Sequence, residues 1–345
     1  MATIRDVAQK ANVHPSTVSR VFSGHPRISK TTRDRVLAVA EELGFHPNAI
    51  ARSLSIRQTN TIGIVIPHVF EGFFNDSFFP QIMRGMLQAS YDHNYRLIVG
   101  GTEGYGDESE QIKQITSSSQ ADGIVVMSSR VDVDTVGSLK AMSVPFVLIG
   151  HPPSEEDQDI AWVDANNHQA TSQAVDYLIQ LGHRRIAYVG GDPENLTTQE
   201  REKAYTETLL AAGISPNPQW IHYGYFDEPG GFNSVQAMRL LGDQTPTAFY
   251  AANDLMAIGV LRGLKALDLK VPEDVSVIGT NDAPYAAYTQ PALTTIQVPY
   301  AEMAALAVDI LLDQITGGNH SEDHTTMVKC NLIQRESTGE APKKN

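Results

Sequence analysis

Thr3-Ile4-Arg5-Asp6-Val7-Ala8-Gln9-Lys10-Ala11-Asn12-Val13-His14-Pro15-Ser16-Thr17-Val18-Ser19-Arg20-Val21-Phe22 carries two short helical periods separated by a break. Thr3 suits the N-cap of the first helix, and Asp6 stands three residues on, in the capping-box place. Ile4, Val7, Ala8 and Ala11 then fall on one helical face. Asn12-Val13-His14 breaks that pattern, and Pro15 is suited to opening a second helix. Val18, Val21 and Phe22 share the inner face of this second helix, and Gly24 and Pro26 end it. Two helices of about eight residues joined by a tight turn predict a helix-turn-helix. The second helix would present Ser16, Thr17, Ser19 and Arg20 outward: small hydroxyls that bond phosphates and bases, and a guanidinium that can grip guanine bidentately. A helical hairpin with a merely solvated polar face is the alternative.

Outward from this pair, the pattern predicts a third helix from Lys30 to Leu43, with Val36, Leu37 and Ala40 inside and Gly44 at its end. Next comes His46-Pro47-Asn48-Ala49-Ile50-Ala51-Arg52-Ser53-Leu54, a joint between parts of opposite charge. Residues 1–60 hold nine Lys/Arg against four Asp/Glu, a balance of +5. The rest of the chain holds seventeen against thirty-six, a balance of −19, which gives the total of −14. A basic head on an acidic body fits a head that meets a polyanion. Only about two helical turns fit the joint, too few to be stable in water without an outside partner. Leu54 is then either an apolar linker residue packed on the body or a wedge pushed between base steps in the minor groove.

Three motifs, in order and at matching spacing, resemble the DNA-binding head of the LacI/GalR family of bacterial transcription regulators. They are Thr3-Ile4-Arg5-Asp6-Val7-Ala8, Val13-His14-Pro15-Ser16-Thr17-Val18-Ser19-Arg20-Val21, and Pro47-Asn48 with Ala51-Arg52-Ser53-Leu54. The resemblance implies that the second helix enters the major groove and that Pro15, Ser16 and Arg20 stand at base-reading positions. It makes Leu54 the wedge at the operator centre, with the hinge helices of two subunits paired there. Thr3, Thr17 and Ser19 in the head and Asn48 and Ala51 in the hinge complete the candidate DNA contacts. His14 stands where the family often has Ser, and Pro15 where longer side chains occur, which shifts the expected base reading toward Arg20.

The body alternates short β-branched runs with amphipathic stretches. Thr61–Ile66, Arg96–Val99, Gly123–Met127 and Phe146–Gly150 read as strands buried on both faces, with helices over Pro80–His93, Asp107–Ser118 and Val133–Ala141. After Ala161-Trp162-Val163 a second set follows, with strands at Arg185–Val189, Trp220–Tyr223, Thr247–Tyr250 and Val275–Ile278. Its helices are His168–Leu181, Gln199–Ala212, Gly231–Leu241 and Asp254–Leu267. The predicted fold class is therefore α/β: a helix-turn-helix head plus two doubly wound parallel-sheet subdomains with a cleft between them. The resemblance extends over nearly the whole chain and likens the body to the sugar-binding proteins of bacterial transport. It divides the chain into a head (1–46), a hinge helix and linker (47–60), one subdomain (61–160 with 292–325) and a second (161–291 with 326–340). On that division Pro291–Ile296 and the helix Tyr300–Ile315 cross back to the first subdomain, and the last strand, Met327–Leu332, returns to the second.

Sugar recognition needs aromatic faces and bidentate polar groups beside vicinal hydroxyls. The resemblance assigns that work to Arg201, Phe226, Asn253 and Asn281, and to the pair Phe78-Phe79, for one of which core packing competes. Asn253-Asp254 resemble the family's Asn-Asp pair, of which Asn253 is the better ligand candidate and Asp254 could merely cap the helix; Asn281 stands where many members carry Asp. Asp164, Asn166 and His151 are weaker candidates. The segment His68–Ser77, longer than the usual family segment, with Ser128–Asp132 and Ile149–Pro152, is similar to the branch that regulates maltose and maltodextrin use. The same long loop would also serve simply to shield the cleft.

Other patterns point nowhere specific. Gly100-Gly101-Thr102-Glu103-Gly104-Tyr105-Gly106 matches no phosphate-loop spacing and holds no Lys, so a βα turn is expected. His183-Arg184-Arg185 reads as a surface turn or an anion site, and His320 and His324 around Glu322-Asp323 as a solvated loop or a metal site. No nucleophile, base and orienting group stand in a catalytic pattern, so no enzyme, cofactor or metal is expected. The single Cys330 excludes an internal disulfide and fits a reducing cytoplasm. No apolar run reaches the roughly 18 residues of a membrane span, and no signal-peptide pattern precedes the head. The expectation is a cytoplasmic homodimeric repressor of carbohydrate-utilisation genes that binds a near-palindromic operator and a small sugar. A purine-type co-repressor regulator and a catabolite regulator partnered by a phosphocarrier protein are the alternatives.

Overall fold

The computed structural model describes residues 2–23, 25–45, 58–69, 74–103, 112, 120–127, 133–142, 144–152, 154, 157, 159–317 and 325–343. The hinge candidates Asn48, Ala51 and Leu54 lie outside them, as do most of the expected helix 107–118, the loop residues 70–73 and 128–132, and His320 and His324.

Among its described residues the head forms three helices. Helix α1 (Ile4–Lys10) starts with the expected capping box: the Asp6 amide donates to Thr3 Oγ1 and the Thr3 amide to the Asp6 carboxylate at 2.8 Å. Helix α2 (Pro15–Phe22) is capped by the His14 imidazole, whose Nδ1 accepts from the Ser16 amide at 3.3 Å. A Ser29 side chain caps α3 (Lys30–Glu42). At its other end Gly44 turns left-handed at φ +59°, while the Phe45 and Gly44 amides donate to Ala40 O and Glu41 O, a Schellman closure. Val7, Ala8, Ala11, Val18, Val21, Val36 and Ala40 form a separate small core. Leu37, expected inside, is 43% exposed. The inner stripe of α3 runs through Val36, Ala40 and Leu43 instead, the i, i+4, i+7 spacing of one helical face.

Among the described residues the body forms two six-stranded sheets. The first has the order β11-β5-β4-β3-β1-β2, built from β1 (Thr61–Val69), β2 (Arg96–Glu103), β3 (Gly123–Met127), β4 (Phe146–Ile149), β5 (Trp162–Ala165) and β11 (Thr325–Val328). The second has the order β12-β10-β9-β8-β6-β7, from β6 (Ile186–Gly190), β7 (Ile221–Tyr223), β8 (Ala248–Ala251), β9 (Ser276–Asn281), β10 (Thr294–Gln297) and β12 (Asn331–Ile333). All pairings are parallel except that of β12 with β10. Strands β3, β6, β8 and β9 are buried along their whole length, as unbroken apolar runs in a helix-covered parallel sheet should be. The covering helices are α4 (Phe78–Asp92), α5 (Val133–Ala141), α6 (Asn167–Gln180), α7 (Leu196–Ala211), α8 (Glu228–Arg239), α9 (Asp254–Lys265) and α10 (Tyr300–Thr316).

Sheet membership differs from the expected division at three places. Strand β5 pairs with β4 and β11 in the first sheet, so the first crossing follows Ala165. Strand β10 pairs with β9 in the second sheet, and the chain returns only at α10, which packs on α4. The expected last strand is two strands in different sheets, β11 and β12, joined by Lys329 and the buried Cys330. Gly100 and Gly101, taken as part of a turn, continue β2 and pair with Val65 and Ile66.

His183, expected in a surface turn or anion site, is fully buried. Its ring bonds Thr247 Oγ1 and Ser276 Oγ at 3.0 Å and Gly339 O at 3.1 Å, tying the C-terminal segment to the second sheet.

Candidate functional site

The carboxyl ends of both sheets face one cavity of about 140 Å³. That is where ligands meet doubly wound sheets, because the loops leaving the strands diverge there. From the first lobe come Asp76 and Phe78 before and at the start of α4, Asp164 in β5, and Tyr300 and Met303 on α10. The second lobe supplies Asn167, Asn195, Thr197, Arg201, Phe226, Asn253 and Asn281.

Arg201 is 4% exposed and ion-pairs with no carboxylate among the described residues. Its Nε and Nη2 donate to Asn167 Oδ1 at 3.2 and 3.0 Å, and its Nη1 donates to Ala252 O. Asn167 in turn donates from Nδ2 to Glu200 at 3.0 Å. The sequence pointed to the neighbouring Asn166, but that side chain caps α6 by accepting from the Gln169 amide at 2.9 Å. Asn167 is the one that lines the cavity.

Phe226 reaches the cavity from a strained turn, with φ +52° at Tyr225 and +63° at Phe226. Its ring lies flat against Gly191, where an added Cβ would come within 1.9 Å of the ring. Phe78 lines the cavity and meets the Tyr300 ring edge to face at 4.9 Å. Phe79 does not line it; it packs on Phe74 at 5.0 Å and on the core. One ring of the pair is thus at the site and the other beside it.

Asn253 caps α9, accepting from the Met256 amide at 2.8 Å, and its Nδ2 points across the cavity. Asp254 is no cap. Its carboxylate is fully buried, takes hydrogen bonds from Thr295 Oγ1 and the Ala283 amide, and is pushed up to about 8 by burial. Asn281, held at φ +117°, accepts from Tyr300 at 2.7 Å.

The partner of both asparagines is Asp76, which the sequence reading passed over. Asp76 Oδ2 accepts from Asn253 Nδ2 at 2.7 Å, and Oδ1 accepts from Asn281 Nδ2 at 3.2 Å and the Phe78 amide at 2.7 Å. Burial pushes the Asp76 carboxyl above its ordinary value, against the pull of these donors and of Arg201. The bond from Asp76 to the Phe78 amide, two residues on, is the one local sign a reader of the sequence had: an Asp just ahead of a helix.

His151 and Asp164 stand at the edge of the same cleft. His151 Nδ1 meets Asp164 Oδ2 at 2.9 Å, and its Nε2 lies 3.8 Å from Glu200 across the lobes. The hydrogen bond to Asp164 raises the imidazole above its ordinary value, while burial raises Glu200. These three are the metal-ligating types that come within 4.8 Å of one another among the described residues. The imidazole nitrogen facing Asp164 is already hydrogen-bonded, so the group reads as an ion-pair network.

On the head, Ser16 and Arg20 are exposed, Pro15, Thr17 and Ser19 half-buried, and Thr3 occupied in its cap. Ser16 Oγ also meets His14 Nδ1 at 2.8 Å, so His14 orients the start of α2. No helix among the described residues is long and apolar enough to cross a membrane.

Residues 3–48 match the family of bacterial regulatory proteins, lacI family, and residues 175–338 a periplasmic binding protein-like domain. The chain is 34% identical to the ribose operon repressor of Haemophilus influenzae, over 98% of either chain. A solved structure of the transcriptional regulator CelR–cellobiose complex superposes with a TM-score of 0.73 at 32% identity, covering 98% of this chain and 100% of that one. The lac repressor dimer bound to operator and the anti-inducer ONPF superposes at 0.86 with 26% identity, over 98% and 99%. With a helix-turn-helix head, two linked parallel sheets and this similarity along its length, the chain belongs to the lacI family of bacterial regulatory proteins.

Proposed function

We propose that this protein is a homodimeric, sequence-specific transcriptional repressor whose operator affinity is set by a small, neutral, polyhydroxylated effector held between the two lobes. The observation that carries the effector class is the cavity wall: Arg201, Asn167, Asp76, Asn253 and Asn281 line it, with the amides of Asn253 and Asn281 facing Asp76 and the rings of Phe78 and Phe226 beside them. Amides and carboxylates match hydroxyls, and aromatic faces match the C–H faces of a sugar ring. Because the lining comes from both lobes, an effector that contacts both changes their relative position.

The head (1–46) reads the halves of a near-palindrome through α2, as twofold symmetry requires, and residues 47–60 form the hinge whose Leu54 wedges the operator centre. Arg201, Asn253, Asn281, Phe78 and Phe226 contact effector, while His151, Asp164 and Phe79 support the rim. The resemblance of the long loop to the maltose branch keeps maltose and maltodextrins in the candidate set, and the cellobiose complex of CelR and the ribose operon repressor add those sugars. Sugar binding would weaken operator binding, and the operator would weaken sugar binding by the same factor.

Thermal unfolding of the full chain against ribose, glucose, cellobiose, maltose, maltotriose and guanine tests this. A ligand at about 100 times its dissociation constant adds roughly 2.7 kcal/mol. A shift with a sugar that Arg201→Ala removes supports the reading. A shift with guanine alone moves the protein to a purine-type co-repressor mechanism, and silence in every well removes the effector assignment.

A further inference from the structure

Gln58, Thr59 and Asn60 lead the chain into β1, and side chains of the first lobe grip all three. Asp122, the residue before β3, accepts from the Thr59 amide and hydroxyl on Oδ1 at 2.7 and 2.9 Å, and from the Asn60 amide on Oδ2 at 2.8 Å. Both of its oxygens are thus engaged by two successive residues, a fork that a single hydroxyl or amide oxygen would not fill. Arg96, which opens β2, closes the other side. Its Nη2 donates to Thr59 O at 3.3 Å and its amide to Asn60 O at 2.9 Å. The Tyr95 hydroxyl accepts from Gln58 Nε2 at 2.9 Å. Asn60 turns left-handed at φ +48°, so the chain bends here before it enters the strand. From Thr61 onward the ladder of β1 with β2 and β3 fixes the backbone. Ahead of Thr61 the described residues have no strand pairing, and the direction of the chain rests on these side chains, above all on the Asp122 carboxylate.

We propose that Asp122 is a positioning residue for operator reading: it fixes the direction in which the hinge leaves the first lobe, and so sets the half-site spacing that the dimer accepts. This rests on the reading of residues 47–60 as a hinge in a DNA-bound dimer and names the residue that orients it. Thr59 and Asn60 are half-buried, so water can take their amides when the carboxylate is removed. The strand then survives, but residues 58–60 become a free joint whose φ and ψ absorb rotation instead of passing it on. Half-site spacing is where such slack shows. One inserted base pair moves the two halves apart by about 3.4 Å and turns one against the other by about 34°. A hinge held at its root meets one such geometry without strain, and a hinge on a free joint meets several. Asp122 precedes β3, whose far end, Met127, lines the cavity, so the hinge root and the cleft share one buried strand.

The test uses the full chain and an operator that wild type selects from a random pool. Anisotropy reads affinity at the selected half-site spacing and at one base pair more and one fewer. Wild type should bind the altered spacings about tenfold or more weakly. In Asp122→Ala that penalty should shrink to about twofold. Thr59→Ala removes one donor to Asp122, so it should shrink the penalty less, and should change nothing further when added to Asp122→Ala. Ile82→Val trims the buried core of the same lobe away from the linker, so it should lower the melting temperature and keep the wild-type penalty. If Asp122→Ala shows no unfolding transition, Asp122→Asn, which keeps one oxygen for Thr59, serves in its place. An Ile82→Val that relaxes spacing as far as the Asp122 variant does overturns the assignment. So do equal penalties in wild type and the Asp122 variant; wild type then still discriminates, so the hinge reading stands and this inference alone falls. If wild type accepts every spacing, or selects no operator, the hinge reading falls and this inference with it.

Discussion

Asn167 Oδ1 accepts two hydrogen bonds from one guanidinium, from Arg201 Nε at 3.2 Å and from Nη2 at 3.0 Å. Asn167 is the first residue of α6, two residues past the end of β5, so it sits where the chain leaves the first sheet for the second. The orientation of the cleft arginine is thereby set by a residue at the crossing between lobes. Both residues belong to the second lobe, so Asn167 holds the guanidinium at one place in the cleft wall.

Replacing Asn167 should free that guanidinium. Asn167→Ala removes the acceptor shared by two charged donors, a loss of about 1.5–3 kcal/mol in a buried setting. Calorimetry should show effector affinity falling by about tenfold or more. Asn167→Asp, which keeps an acceptor for both nitrogens, should restore most of it. Equal binding by the alanine variant and wild type would remove Asn167 from any role in holding Arg201.

Asp254 is a structural acid, and its substitutions should say so. Its folded value of about 8 stands above the ordinary 3.8, so the folded protein holds this proton more tightly than the unfolded chain does. Raised in the fold, the group disfavours folding progressively as pH climbs from about 4 toward 8. Asp254→Asn should therefore flatten the decline in melting temperature over that window. Asp254→Ala, which strands Thr295 and the Ala283 amide, should cost about 1–3 kcal/mol throughout. If the asparagine variant keeps the full wild-type slope, some other group carries it.

The local parts of the structure were legible because their causes are local. Thr3 and Asp6 cap α1 three residues apart, and Gly44 ends α3 through its own φ. What failed to read was long-range. Strands β5 and β10 are only four residues long and carry no local mark of the sheet they join, so the crossings were displaced. Leu37 was placed inside because adjacent positions 36 and 37 differ by a rotation of about 100° that a short apolar run does not settle. Asp76 had a single local cue, and its meaning comes from Asn253, 177 residues away. Among the cavity-lining residues that could be named were those the resemblance assigned, Phe78, Arg201, Phe226, Asn253 and Asn281. Asn167 and Tyr300 needed the fold to bring them to the cavity.

Two histidines should shape the pH profile in opposite directions. Burial lowers His183 below its ordinary 6.5, so the folded protein holds it neutral while the unfolded chain takes up a proton. Its contribution is present above 6.5 and lost as pH falls below it. His151 is raised above 6.5 by Asp164, so its contribution is full below 6.5 and lost as pH rises through the folded value. Melting curves from about pH 5 to 9 should show His183→Gln flattening the acid arm and His151→Gln the alkaline arm. Identical arms in wild type and both variants would show that neither imidazole titrates with folding.

The head and the hinge should fail in distinguishable ways on DNA. Arg20 is exposed on α2, past the half-buried Thr17 and Ser19, and its guanidinium is long enough to meet a guanine edge when α2 lies in the major groove. Arg20→Ala should cost about 1–3 kcal/mol of operator affinity and relax preference at one base pair per half-site. Leu54→Ala should leave half-site preference intact and instead lose the dependence on spacing and on the central base step, because a wedge works through deformation of the duplex. The measurement is anisotropy with operators selected from a random pool, using variants of half-site sequence and of half-site spacing, for wild type and each single substitution. If Leu54→Ala binds every spacing as wild type does, the residue is an ordinary linker leucine, and the hinge takes no part in reading the operator centre.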